Sequence, residues 1–314
     1  MKLSIIVPCK NEEGNITELY EKINETLDKL KYEIIFVDDG STDNTLKELK
    51  EVYEKDVQHI KILSFSRNFK KEAAMLAGLE HSIGEYTCII DGDLQQNPKY
   101  LVDMYNYLEE NSDYDVVAMV AEENEADSKL VRYCKRKFYH IISKQSNLDI
   151  RTAASDFRMF RKNVKEALIS LREENRFTKG MFAWIGFKTK YMNYKVDSRK
   201  NGVTSFDLKT LFFYALNGIF GFSYKPLNWS IKLGVISILA SFIYLIVVLI
   251  QTLFLDVTMK ATYALIILML LLFGIQFILL GVVGKYIALV NEEVKNRPLY
   301  IVKEKIGFSN ETIL

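Results

Sequence analysis

Apolar positions fall into two regimes along the chain. Up to about residue 100, short apolar runs alternate with stripes at three- and four-residue spacing. LSIIVP (3–8), YEIIFVDDGS (32–41), IKILSFS (60–66) and YTCIID (86–91) are each too short for a helix and nearly continuous in apolar residues, so each predicts a buried strand. Between them, Ile16, Leu19, Ile23, Leu27 and Leu30 form a helical stripe, 42–55 predicts a second helix with Thr42 or Asp43 as its cap, and 70–83 a third. The alternation β-α-β-α-β-α-β predicts an α/β fold, a Rossmann-like parallel sheet covered on both faces. Ligands on such sheets bind at the carboxyl ends of the strands, and here those ends read Pro8–Glu12, Asp38–Ser41 and Asp91–Gln95.

The second regime lies near the carboxyl end. Residues 233–255 and 261–284 carry no charge, and each exceeds the ~20 residues that cross a bilayer core. With only DVTMK between them they predict a transmembrane hairpin rather than two buried helices. Residues 207–222 are apolar and aromatic but too short and interrupted to span, and predict an interfacial segment. The expected organisation is therefore a domain over 1–206, an interfacial segment over 207–228, two membrane helices within 229–289 and a polar tail over 290–314 with a short LYIV strand. Within the spans, Gln276 suits a bond to a neighbouring helix, and Gly281 and Gly284 suit close helix approach.

Composition changes this picture little. The 314 residues are 49% hydrophobic and 26% charged with formal net charge +1, which excludes a disordered chain and gives no sign of nucleic-acid binding. Met1-Lys2 followed by LSIIVP is too short for a signal-peptide core. Lys225, Lys232, Lys285, Lys295 and Arg297 flank the spans, while the connecting loop has only Lys260. Both termini are thus expected in the cytosol, with a multi-pass anchor in the cell membrane. Cys9, Cys88 and Cys134 form no CxxC and are expected as reduced thiols, and the three histidines show no zinc spacing.

The candidate chemistry centres on Asp91-Gly92-Asp93. Two carboxylates two apart at a strand end, with Gln95 as a further oxygen, can hold Mg²⁺ or Mn²⁺ on a substrate phosphate; the alternative is an ordinary acidic turn. A cluster of carboxylates is costly unless compensated, so a cation or a basic partner is expected beside it. Asp38-Asp39-Gly40-Ser41 is either a capped turn or an acceptor for a nucleotide's base or ribose; neither GxGxxG nor GxxxxGKS stands near it. Residues 128–145 read as a basic amphipathic helix with Lys129, Arg132, Arg136 and His140 on one face. Trp184 and the aromatics around it read as core.

Taken together, IIVPCKNEEGNI, FVDDGSTDNT, SFSRNFKKEAAMLAGL, DGDLQQNP, SDFRMFRKNV and NRFTKGMFAWIGF resemble, in this order, a family 2 glycosyltransferase of GT-A fold. With the two apolar spans and GKYIALVNEEVKNRPLYIV behind them, the chain is similar to the polyprenyl-phosphate glycosyltransferases over residues 3–303. These include bactoprenol-phosphate glucosyltransferases and, more distantly, dolichol-phosphate mannose synthases. The resemblance implies an inverting, metal-dependent transfer of a hexose, glucose first among them, from a nucleotide sugar to undecaprenyl phosphate at the cytosolic membrane face. It also implies a homo-oligomer, a tetramer being one form, joined through the membrane helices.

By the same resemblance, Pro8, Glu12, Val37 and Asp39 line the nucleotide pocket, and Asp91, Asp93 and Gln95 hold the metal on the donor diphosphate. Asp156 takes the place of the catalytic carboxylate, with Asp93 as a second catalytic candidate, Arg199 meets donor phosphate, and Arg132, Arg136 and Arg158 are candidates for the acceptor phosphate. The chain departs from the family pattern at Lys10, where an aromatic is usual, at Lys70, where glycine is common, and at Ser205, where many relatives have lysine. The same reaction with UDP-N-acetylglucosamine or GDP-mannose, and an inactive scaffold of this fold, are the alternatives. A processive polysaccharide synthase would want QxxRW and more spans, and the chain has neither.

Overall fold

The computed structural model describes residues 1–122, 154–174, 176–197 and 261–308, together with part of 232–250. The chain divides into two compact units, Met1–Ala215 with Arg297–Leu314, and Leu216–Asn296.

The first unit is built on an eight-stranded sheet. In chain order its elements are β1 (Leu3–Cys9), α1 (Ile16–Thr26), β2 (Tyr32–Asp38), α2 (Thr45–Lys55), β3 (Ile60–Phe65), α3 (Lys71–His81), β4 (Tyr86–Ile89), α4 (Tyr100–Glu110), β5 (Val116–Ala121), β6 (Ala154–Arg161), α5 (Lys162–Ser170), α6 (Thr178–Trp184), β7 (Thr189–Tyr194) and β8 (Val302–Ile306). The strands lie in the order β7-β5-β6-β4-β1-β2-β3-β8. The four strands foreseen in the sequence, β1 to β4, form its parallel centre.

Beyond these four strands the sheet departs from the parallel pattern. β6 runs antiparallel to both β4 and β5, and β8 antiparallel to β3, so the sheet is mixed. The physical reason is connectivity: β6 enters between β4 and β5, and β8 comes from the far end of the chain. The tail strand is VKEKI rather than LYIV, because Tyr300 and Ile301 are spent on approaching β3 and the register with it begins at Val302.

Every residue of β1 and β2 is buried, as continuous apolar runs require of central strands covered on both faces. Alternation divides them. Leu3, Ile5, Val7 and Cys9 of β1, with Ile34 and Phe36 of β2, pack under Ile16, Leu19 and Ile23 of α1, Leu49 and Val52 of α2, and Leu101, Met104 and Leu108 of α4. The opposite face carries Ile35, Val37, Leu63 and Phe65 against Ala73, Ala74 and Ala77 of α3. α3 shows small residues to the sheet, and the closest is Gly78: a Cβ there would stand 2.3 Å from Ile6 Cγ2. That close seat draws the amino end of α3 down onto the strand tips. Met181 and Phe182 of α6 are buried, but Trp184 is 60% exposed, which corrects its assignment to the core: it closes a short helix whose inward side Met181 and Phe182 already fill.

In the second unit, α7 (Ala261–Val294) has 34 residues, about 51 Å of helix at 1.5 Å per residue. Its stretch Leu271–Val294 is long and apolar enough to cross a membrane, and Phe273, Phe277, Ile278 and Leu280 stand exposed along it. α7 runs ten residues past Gly284, so NEEV is its last turn rather than the start of a tail. Of the first expected span the described residues are helical, with Val235–Tyr244 a shorter apolar helix; 251–260, like the interfacial 207–222 and the basic 128–145, lie outside the described residues. Among the described residues one helix has spanning length, and the expected hairpin is not shown.

Candidate active site

Three acids reach one rim from three strands. Side chains alternate along a strand, and Asp39, just past β2, shares the α3 face with Ile35 and Val37. Asp91 follows β4 on the same face, since Cys88 and Ile90 belong to the opposite core. Asp156 of β6 lies on it too, because Phe157 and Met159 point the other way. β2 and β4 flank β1, so their tips are about 10 Å apart, two strand spacings. The strand order thus puts the tips that carry Asp39 and Asp91 on one edge of the sheet, with β1 between them.

The two neighbouring acids of β2 separate into different tasks. Asp38 faces the α1 side and is consumed internally: Oδ2 accepts from Ser64 Oγ at 2.9 Å and Oδ1 from Ser41 N at 3.0 Å. Asp39 is 4% exposed, and its Oδ1 accepts the Phe69 N–H at 2.6 Å. Burial pushes the Asp39 carboxyl up, while the Phe69 N–H and Lys10 oppose the shift. The loop carrying Phe69 reaches Asp39 because residue 40 is glycine. Its φ is +63°, and a Cβ would stand 2.6 Å from the Arg67 carbonyl carbon.

The β4–α4 loop holds its acids by local bonds. Gln96 clamps Asp91 from both ends, Nε2 donating to Oδ2 at 2.9 Å and Oε1 accepting from Asp91 N at 3.0 Å. Asp93 Oδ1 accepts the Gln95 N–H at 3.1 Å. Gln95 O accepts the Asp197 N–H, so the segment after β7 closes over this loop. Between the two, Leu94 has φ +62°, a left-handed conformation for a buried leucine. Such strain survives where the surroundings over-determine it, commonly at ligand sites. The sequence singled out Gln95; the side chain engaged with Asp91 is that of Gln96, an assignment for which spacing gave no signal.

The basic partner that the acids required is Lys71, the first residue of α3. Its Nζ lies 2.6 Å from Asp91 Oδ1 and 3.1 Å from Asp156 Oδ2. Burial acts to lower the Lys71 ammonium's pKa, but the two carboxylates outweigh it and raise it. Burial likewise acts to raise Asp156, yet Lys71, Lys179 and Arg158 pull it down to about 2. Asp91 is pushed up by burial, against the pull of Lys71. Sequence reading demanded a cation here without naming it; the signal was KKE opening the helix that follows the third strand tip.

The remaining expected residues take these places. Pro8 and Val37 pair in register and are buried beneath the rim. Glu12 adjoins the acidic loop: a Cβ at Gly92 would lie 3.5 Å from Glu12 Cγ. Its N–H donates to Thr45 Oγ1 and its Oε2 accepts from Asn15 Nδ2, both at 2.8 Å. Arg158 is 5% exposed, its guanidinium 4.5 Å from the Phe182 ring centre and its Nε donating to Ser155 O. Arg132, Arg136 and Arg199 lie outside the described residues, as does Ser205. Cys9 and Cys88 are buried free thiols, and burial raises both.

The donor chemistry suits a hard divalent cation. Asp91 and Asp93 present carboxylate oxygens on one loop, and among the described residues no third acid, histidine or cysteine closes a cage around them. An ion held by two carboxylates and completed by water and substrate oxygens is the coordination that Mg²⁺ favours.

The family model described as Glycosyl transferase family 2 matches residues 4–168, from β1 through most of α5. The chain is 35% identical to the uncharacterized glycosyltransferase YkcC of Bacillus subtilis (strain 168), over 100% of this chain and 97% of that one. It is 34% identical to the SfII prophage-derived bactoprenol glucosyl transferase of Shigella flexneri, over 97% and 98% of the two chains. Among solved structures it is similar to glucosyl-3-phosphoglycerate synthase from Mycobacterium tuberculosis in complex with Mn²⁺, UDP and phosphoglyceric acid. That likeness has 19% identity, TM-score 0.47, and covers 70% and 76% of the two chains. Matched by the family model across more than half its 314 residues and aligned with such relatives from end to end, the chain belongs to glycosyl transferase family 2.

Proposed function

We propose that this chain transfers a hexose, with glucose from UDP-glucose as the preferred reading, to undecaprenyl phosphate at the cytosolic face of the cell membrane. The observation that carries this is the joining of an acidic strand-tip site to an apolar helix of spanning length in one chain. Near-full-length relatives named bactoprenol glucosyl transferases support the acceptor class. A polyprenyl phosphate cannot leave the bilayer, so a site anchored beside it has a reason for the anchor.

The chemistry follows from the charges. Asp39 would accept a hydrogen bond from the nucleoside, and Pro8, Glu12 and Val37 would shape the pocket around it. Asp91, Asp93 and Gln95 would hold Mg²⁺ or Mn²⁺, which when bound neutralises the charge developing on the departing diphosphate. Arg199 would meet the same diphosphate. The acceptor is already an anion, and a phosphate monoester with its second pKa near 6 is a far stronger base than a carboxylate held at about 2. Asp156 therefore orients Lys71 and the acceptor and stabilises positive character at the anomeric carbon, and it removes no proton. A direct displacement inverts that carbon. Arg132, Arg136 and Arg158 would receive the acceptor phosphate, Arg158 from its seat on Phe182 beside Asp156.

The test is mass spectrometry of the lipid product. The full chain in detergent is incubated with undecaprenyl phosphate, Mg²⁺ or Mn²⁺, and UDP-glucose, UDP-N-acetylglucosamine or GDP-mannose in turn. A hexosyl-phosphoundecaprenol from UDP-glucose, lost in Asp91→Ala, is the expected result. A product from another donor alone would replace glucose, and no product from any donor would favour the inactive scaffold.

A further inference from the structure

The acid cluster at the rim already contains a cation. Lys71 Nζ bridges Asp91 and Asp156, two carboxylates from different strands, at 2.6 and 3.1 Å. Neither partner is a chance surface contact. Asp91 is fixed by both ends of the Gln96 amide, and Asp156 lies within a core strand. Lys71 itself is aimed by α3, whose alanine and glycine face seats the helix against β1 and β2. Its side chain is 38% exposed, so Lys71 stands at the open edge of the acid cluster.

Resting on the metal reading above, we infer that Lys71 is the site's resident counter-ion: it neutralises Asp91 and Asp156 when no donor is bound, and so keeps a divalent cation from binding ahead of the nucleotide sugar. Two cations cannot share one carboxylate oxygen at these distances without strong repulsion. A bare divalent ion must therefore evict the ammonium at its own expense. A nucleotide diphosphate brings the negative charge that removes this obstacle, because its oxygens can receive both the metal and the released lysine. Cation and donor then enter as one neutral unit, and the site does not fill with unproductive metal.

Mn²⁺ titrations of the full chain in detergent, with free Mn²⁺ counted by its electron paramagnetic resonance signal, test this directly. Wild type should bind Mn²⁺ weakly alone and at least ten times more tightly with UDP. Lys71→Met should bind Mn²⁺ about tenfold or more tighter without UDP, so that UDP tightens it less than it tightens wild type. Lys71→Arg, which keeps the charge, should behave as wild type, and Lys71→Gln serves if the methionine variant does not fold. Equal Mn²⁺ affinity of wild type and Lys71→Met without UDP, with both binding in its presence, overturns the inference and leaves the metal reading standing. Tightening in Lys71→Arg overturns it as well. If no protein binds Mn²⁺ even with UDP, the metal reading fails and takes this inference with it.

Discussion

Tyr300 stacks on Phe65, ring centroids 5.1 Å apart and planes at 16°. The contact joins the segment that follows α7 to the last residue of β3. Phe65 in turn meets Phe69 edge-on at 5.7 Å, and the Phe69 N–H holds Asp39. The returning chain therefore braces the loop that shapes the proposed nucleoside pocket. The Tyr300 hydroxyl also donates to Glu80 of α3, which Arg172 holds at 2.9 Å. Tyr300→Ala should destabilise the sheet unit by about 2–3 kcal/mol, the cost of losing a half-buried aromatic, and weaken UDP binding. Tyr300→Phe keeps the stack and should cost about 1 kcal/mol with UDP affinity unchanged. Thermal melts and UDP titrations of the two variants distinguish bracing from mere packing; equal UDP affinity in all three proteins would refute the brace.

Lys70 has φ +78° and ψ 160°, a region that belongs to glycine. Its carbonyl accepts the N–H groups of Ala73 and Ala74, so the first turn of α3 depends on this conformation. A side chain at this position therefore carries a backbone cost that glycine would not. Lys70→Gly should raise the thermal midpoint, by about 1 kcal/mol of stability, while Lys70→Ala should not, because alanine keeps the Cβ. A midpoint in Lys70→Gly at or below that of wild type would mean the strain is not borne by this residue.

Much of this was legible in the sequence because the signals were local. Continuous apolar runs gave the four central strands to within a few residues, and parallel connections placed their polar ends on one rim. β5, β6 and β7 were not legible. SDFRMFRKNV mixes charge with apolar residues, since Asp156 and Arg158 point to the site while Phe157 and Met159 enter the core. VKEKI reads as polar because an edge strand needs only its inner side covered. Lys71 and Gln96 were missed for another reason. Their partners come from elements distant in the chain or from an adjacent, equally plausible glutamine, and spacing carries no trace of either.

His81 makes the seam between α3 and β8 sensitive to pH. Its Nδ1 bonds to Ala77 O at 2.8 Å and its Nε2 lies 2.9 Å from Lys305 Nζ, so neutral imidazole donates to one and accepts from the other. Burial first, and then Lys305 and Lys61, hold its pKa below the ordinary 6.5, while Ala77 O and Glu80 act the other way. The unfolded chain thus binds the proton more readily. The stability from neutral His81 is complete above about pH 6.5 and is lost as pH falls from there through the lower folded value. Between pH 7.5 and 5.5 the thermal midpoint of wild type should fall, and that of His81→Gln should fall less. Parallel curves would place the pH sensitivity elsewhere.

Asp39 separates what the fold wants from what the site wants. A carboxylate at 4% exposure, raised by burial, burdens the ligand-free chain, and the Phe69 and Lys70 N–H groups and Lys10 only partly relieve it. Asparagine keeps an oxygen for the Phe69 N–H and removes the buried charge. Asp39→Asn should therefore leave the thermal midpoint unchanged or raise it. A nucleoside ring or ribose donor, however, bonds more strongly to a carboxylate than to an amide, so UDP should bind about tenfold more weakly, close to 1.4 kcal/mol. Asp38→Asn is the matching control, because Asp38 spends its oxygens on Ser41 and Ser64: it should lower stability and leave UDP affinity alone. If the two variants exchange these behaviours in melts and UDP titrations, the nucleoside contact belongs to Asp38, and the rim faces the opposite side of the sheet from the one argued above.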